Sequence, residues 1–164
     1  MVSHQLTAPE VYQLLENVRD PEIPLLSVID MAIIREVIVN PNEVVVTITP
    51  TYSGCPAMDM ISQDITRTLT EAGIPKVLIQ TKLSPAWTTD WMSESAKEKL
   101  RQSAIAAPGK LANEDLVPFP RKKVACPFCN SRSTSLKSEF GSTACKAMYF
   151  CDACHQPFEF FKPI

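Results

Sequence analysis

Cys126-Pro127-Phe128-Cys129 and Cys151-Asp152-Ala153-Cys154 form two C-x-x-C pairs with 21 residues between them. Each pair is the right length to turn two sulfurs toward one ion, and the spacing matches a four-cysteine zinc site. Four thiolates close a tetrahedron and leave no position for water, so the expected role of the metal is structural. Such an ion contributes roughly 10–16 kcal/mol, enough to fold a short unit that cannot bury a conventional core. A redox C-x-x-C is disfavoured because neither pair sits in a βαβ context.

Working outward from the quartet, the segments Ser133 to Phe140 and Ala147 to Phe150, with Phe158, Phe160 and Phe161 beyond, are expected to be the strands of a zinc ribbon over 124–164. Two further metal-competent residues lie close in sequence. Cys145 could replace a ligand or bind a second metal, although a small buried thiol is its commoner fate. His155 directly follows a ligand and reads better as a knuckle residue or a support for the ligands than as a ligand itself. Upstream, 104–123 is rich in Ala, Pro and Gly, ends in Arg121-Lys122-Lys123, and is expected to be a linker.

The first part, 1–103, carries the pattern of a small α/β domain. Thr7-Ala8-Pro9-Glu10 has capping-box spacing, and Val11, Leu14, Leu15 and Val18 follow on one helical face. Met31 to Val39 and Val44 to Thr49 are β-branched runs joined by the turn residues Asn40-Pro41-Asn42-Glu43, which predicts an antiparallel hairpin. A helix over 57–72 stops at Gly73 and Pro75, a third strand runs from Val77 to Leu83, and a third helix carries Met92, Ala96 and Leu100. The expected order is α-β-β-α-β-α.

Bulk properties restrict the function. Lys+Arg number 16 against Asp+Glu 18, a formal net charge of -2, so no global basic field draws in nucleic acid or an anionic membrane. Arg121, Lys122, Lys123, Arg132 and Lys137 permit a local nucleic-acid contact, but a solvated basic hinge is the better reading. Met1-Val2-Ser3-His4-Gln5 lacks the features of a secretory signal, and no stretch reaches membrane-spanning length, so a cytoplasmic protein is expected. In that reducing setting six cysteines suit metal or thiol chemistry rather than disulfides.

The sixth cysteine lies in the first domain. Pro50-Thr51-Tyr52-Ser53-Gly54-Cys55-Pro56 joins the second strand to the second helix, so Cys55 is expected at a helix N-terminus with Ser53 or Thr51 as the cap. A nucleophilic enzyme would need a base beside that sulfur, and the domain offers only His4, in an expected frayed terminus. Hence no catalytic residue is assigned. A soft metal or an iron-sulfur fragment displaces the thiol proton by itself and needs only access. Asp20 and Glu22 are candidate neighbours, as hard ligands or supports; turn residues beside a buried apolar Cys55 are the equally weighted alternative.

Asp20-Pro21-Glu22-Ile23-Pro24, the hairpin and the Thr51 to Pro56 loop resemble the domain shared by iron-sulfur assembly factors such as SufT and the eukaryotic cytosolic iron-sulfur targeting proteins. With Pro85-Ala86-Trp87-Thr88-Thr89-Asp90-Trp91-Met92 and the four-cysteine tail, the resemblance narrows to the PaaD family of bacterial phenylacetate degradation and covers nearly the whole chain. It implies an accessory role in maturing the multicomponent phenylacetyl-CoA epoxidase. The implied partners are its iron-sulfur reductase component and cluster carrier proteins. The implied cargo is a transient iron-sulfur cluster or iron, with Cys55, Asp20 and Glu22 as the contact. A structural subunit of the oxygenase complex is the alternative, and a zinc-ribbon nucleic-acid binder a more distant one.

Overall fold

The computed structural model describes residues 6–109 and 123–164; His4 and most of the expected linker lie outside them. The chain divides into two compact units, Met1–Trp87 and Thr88–Ile164. No helix among the described residues is long and apolar enough to cross a membrane.

In the first unit, helix α1 (Ala8–Leu15) opens where the sequence predicts. The Glu10 carboxylate accepts hydrogen bonds from the Thr7 N–H and hydroxyl, both at 2.7 Å, which satisfies a donor that the first turn would otherwise leave open. Strands β1 (Ile34–Asn40) and β2 (Glu43–Ile48) form the hairpin, with Asn40 opposite Glu43, so Pro41 and Asn42 make the loop. β1 starts three residues later than the apolar run suggests, because Met31 and Ala32 lie in turns that precede it and Ala32 has φ 50.

Helix α2 (Ala57–Glu71) buries Ile61, Ile65 and Leu69, one face at helical period. It stops at Gly73, whose φ of 92 would strain any side chain. Strand β3 (Val77–Thr81) then returns parallel to β2, and the sheet order is β1-β2-β3. A parallel return needs a crossover, which α2 supplies. In the core, α1 contributes Val11 and Leu15, and β2 contributes Val44, Val46 and Ile48. Trp87 is buried too, its indole N–H donating to the Met31 carbonyl at 2.8 Å.

The second unit begins with a 3-10 turn at Thr89–Trp91. Helix α3 (Glu94–Gln102) follows, capped by the Ser93 hydroxyl, which accepts from the Ala96 N–H at 3.0 Å. Strands β4 (Ile105–Ala106), β5 (Thr134–Ser138), β6 (Lys146–Cys151) and β7 (Pro157–Phe161) form a sheet in the order β4-β7-β6-β5. The element order matches the sequence reading; the placement of Thr88 to Ala106 differs from it. Ile105 and Ala106, expected in the linker, pair with Glu159 and Phe160 of β7. By its contacts, Thr88 to Ala106 groups with the second unit. Composition marks a loop-like stretch, but a partner more than fifty residues away turns its first residues into a strand.

Candidate metal centre and thiol site

The four cysteines of the two pairs are the one group of three or more His, Cys, Asp or Glu, among the described residues, whose ligand atoms converge, with all four sulfurs within 4.8 Å of one another. Contacts run between the pairs: Cys126 Sγ to Cys154 Sγ is 3.7 Å and Cys129 Sγ to Cys151 Sγ is 3.6 Å. Four sulfurs held about 2.3 Å from a central zinc ion would lie about 3.8 Å apart along the edges of a tetrahedron. The donor set and spacing fit that ion. When bound, it would cross-link the two pairs and leave no ligand position for substrate.

The two pairs share a backbone plan. Asn130 N–H donates to the Cys126 carbonyl and His155 N–H to the Cys151 carbonyl, each at 2.9 Å. Those two residues have φ 59 and 58, and Asn and His are among the side chains that tolerate the left-handed region best. The first cysteine of each pair then donates its own N–H five residues ahead, Cys126 to Ser131 at 2.9 Å and Cys151 to Gln156 at 3.0 Å. His155 is thus a knuckle residue, with its ring 6.3 Å from that of Phe150. Asn130 does the same job in the first pair, and its signal in the sequence was its position directly after the second cysteine.

Sulfurs this close cannot all ionise without a cation among them. In the protein alone, backbone N–H groups of Cys154 and then Ala153 outweigh burial and draw the Cys151 thiol down to about 7. Burial pushes Cys154 up to about 12, and the neighbouring sulfurs add to it against the Gln156 N–H. One easily ionised thiol and one strongly protonated thiol in the same cluster is the arrangement that a divalent ion would level, because its charge stabilises every sulfur as thiolate at once.

Cys145 stands apart from the quartet, half-buried, with its sulfur 3.0 Å from the Thr143 hydroxyl. Beside it the sheet holds an ion pair that sequence reasoning missed: the buried Lys146 ammonium lies 2.9 Å from Glu159 Oε2. Glu159 Oε1 also accepts from the Ser142 N–H at 2.7 Å. Burial alone would raise the Glu159 carboxyl, yet the Ser142 N–H and Lys146 together hold it below its ordinary 4.5. A Cβ at Gly141 would stand 2.6 Å from Glu159 Oε1, so any side chain there would have to displace that carboxylate.

In the first unit, Cys55 is half-buried in the loop between β2 and α2. Its N–H donates to the Tyr52 carbonyl at 3.1 Å, and its carbonyl accepts from Met58 N–H at 3.3 Å. The expected cap by Ser53 or Thr51 does not form: Pro56 occupies the N-cap position, no side chain caps the helix, and Thr51 is buried. A proline already removes one of the donors that a cap would serve. Asp20 is buried, and its Oδ1 accepts from the Glu22 N–H at 2.9 Å and the Ile23 N–H at 2.8 Å. It braces the turn that carries Glu22, whose side chain is exposed. Cys55, Asp20 and Glu22 do not converge as a metal-ligating group. β1 begins where β2 finishes, with Ile34 opposite Ile48, so the loop that carries Cys55 leaves the sheet at the end where the chain from the Asp20 turn enters it.

An α/β domain with a half-buried thiol in its β2–α2 loop, followed by a four-cysteine ribbon, has the plan of an iron-sulfur-assembly-like domain joined to a zinc ribbon. Its two parts match two family models, "Iron-sulfur cluster assembly protein" over residues 9–77 and "PaaD zinc beta ribbon domain" over residues 113–162. The chain is 45% identical, over 94% of its length and 92% of the relative's, to an Escherichia coli K12 protein named as a putative subunit of 1,2-phenylacetyl-CoA epoxidase. An "Fe-S protein maturation auxiliary factor" of Porphyromonas gingivalis is 36% identical over 57% of this chain and 90% of its own. Among solved structures, a DUF59 domain from Bacillus anthracis superposes with a TM-score of 0.53 at 27% identity, covering 56% of this chain and 89% of that one. A conserved hypothetical protein of Thermotoga maritima gives 0.52 at 28% identity, covering 60% and 97%. The chain belongs to the PaaD family.

Proposed function

We propose that this protein is a non-catalytic accessory factor that assists assembly or delivery of an iron-sulfur cluster to a phenylacetyl-CoA epoxidase, acting on the reductase component in the cytoplasm. The observation that carries the reading is the half-exposed Cys55, on an iron-sulfur-assembly fold, in a chain whose relative is named for that epoxidase. The cluster is cargo here. The Cys55 thiol would lose its proton to solvent and take one iron by ligand exchange, displacing one thiolate of the carrier, which picks up a proton in turn, and a partner's cysteines would supply the remaining ligands, since such clusters usually need four. Asp20 would hold the neighbouring turn in shape, leaving Glu22 free to meet a partner.

The test is to purify the reductase from cells carrying Cys55→Ala and to measure its iron and acid-labile sulfide. A deficit in both is expected, with zinc in the variant itself unchanged. A full complement of iron and sulfide would overturn the proposal. The Escherichia coli relative is named as part of the epoxidase itself, which favours a second reading, a structural component of that enzyme. Equal stoichiometry in the purified active complex, with activity lost when the protein is stripped from matured enzyme, would select that reading instead.

A further inference from the structure

Neither family model covers residues 78–112, yet three observations tie the part from Thr88 to Ala106 to the four-cysteine ribbon. First, β4 adds a parallel edge to β7, with Ile105 opposite Glu159 and Ala106 opposite Phe160. Second, Ala106 belongs to the same buried cluster as Cys126 and Cys151, so a residue twenty positions upstream of the first ligand packs in the apolar surroundings of two ligands. Third, the Thr89 N–H donates to the Ile164 carbonyl at 3.1 Å, which joins the start of this stretch to the last residue of the sequence.

The link between α3 and β4 has no slack. Ser103 N–H donates to the Leu100 carbonyl at 2.9 Å, Ala104 N–H to the Arg101 carbonyl at 3.0 Å, and Ile105 is already in the strand. Ala104 makes this turn at φ 59, a conformation that is unfavourable for an alanine and persists only where the surroundings enforce it. Pairing of the next two residues with β7 supplies the enforcement. Helix α3 is therefore attached to the sheet that the metal cross-links.

From this geometry we infer that metal occupancy of the four-cysteine site and the order of Thr88–Ala106 form one cooperative unit, so the ion organises a helix that lies outside the ribbon's sequence boundaries. Metal binding to a site absent from the unfolded chain is folding free energy. Whatever packs into the same cooperative unit shares it, and the coupling is reciprocal. The inference stands independently of what Cys55 does.

The test is hydrogen exchange by mass spectrometry on the full chain, zinc-loaded and then stripped with a chelator under reducing conditions. On stripping, amides in 96–106 should lose protection by about tenfold or more, together with those in 146–161, while amides in 37–48 and 61–71 keep theirs. Unchanged protection in 96–106 would overturn the inference. So would equal loss in 37–48, since the helix would then merely follow the whole chain. Reciprocity gives a second arm. Ala106→Asp in the full chain should weaken zinc binding, measured at equilibrium by competition with a chromogenic chelator, by about fivefold or more; an affinity equal to that of the wild type would overturn the inference as well.

Discussion

The two units of this protein hide their apolar surface by different means. Met1–Trp87 does so with aliphatic side chains: two helices on a three-stranded sheet, with Val11, Leu15, Ile61, Ile65, Leu69 and Ile48 almost fully enclosed. In Thr88–Ile164 the ribbon cluster is aromatic and sulfur-rich, built on Tyr149, Phe158 and Phe160 with Cys126 and Cys151 among them. Tyr149 stacks on Phe158 at 5.8 Å and meets Phe160 edge-on at 5.7 Å, contacts worth about 0.5–1.5 kcal/mol each beyond burial. The first unit thus rests on an aliphatic core, whereas in the second a bound ion would add a cross-link to a smaller aromatic one. Metal removal should separate them.

The largest effect is expected from Cys151→Ser. It takes one sulfur from the quartet, so stoichiometric zinc should be lost and the amide shift dispersion of 134–161 should collapse in an NMR spectrum, while resonances of 34–81 stay in place. Dispersion retained in the ribbon would show that packing alone suffices there and would erase the contrast between the units.

Next in size is the ion pair inside the ribbon. Lys146→Met leaves Glu159 partly buried without its partner, a change that typically costs about 3–5 kcal/mol, whereas replacing both by apolar residues is often close to neutral. Denaturant titration of zinc-loaded single and double variants would check this. Acidification provides an independent check. Because the folded Glu159 carboxyl sits below its ordinary 4.5, its contribution is fully present above that value and is lost as pH falls through the folded value. The stability gap between wild type and Glu159→Gln should therefore be constant above about pH 5 and shrink on further acidification.

On the other side of the comparison, Leu69→Ala empties a fully buried position of α2 and should cost about 2–5 kcal/mol of unfolding free energy in the first unit. Zinc content measured by chelator release should not change. The smallest effect is expected at Thr89, buried with its hydroxyl lacking a hydrogen-bond partner among the described residues. Thr89→Val removes that orphan and should be neutral or stabilising by about 1 kcal/mol in thermal unfolding.

Much of this architecture was legible beforehand. The β-branched runs and the 3.6-residue periodicity located three helices and the principal strands to within a few residues, and the C-x-x-C spacing singled out the four sulfurs that converge. The differences have two sources, local backbone geometry that takes up a side chain or a cap position, and partners remote in sequence. Thr51 and Ser53 have the chemistry of caps, but Pro56 takes the cap position and Thr51 is buried. Asp20 has the chemistry of a ligand, but its carboxylate is engaged by the N–H groups of Glu22 and Ile23. Lys146 and Glu159 gave no local sign of pairing, because each alone is an ordinary surface residue type.

Residue order was enough to settle which segments are helix or strand and which cysteines can share an ion, since both are written at short range in periodicity and spacing. Closure of the chain alone decided that Ala106 lies beside Phe160, that the two cysteine pairs meet, with Cys126 against Cys154, and that α3 joins the ribbon. Those outcomes depend on which distant backbone groups and apolar surfaces meet in three dimensions, and the order of residues does not encode such meetings locally.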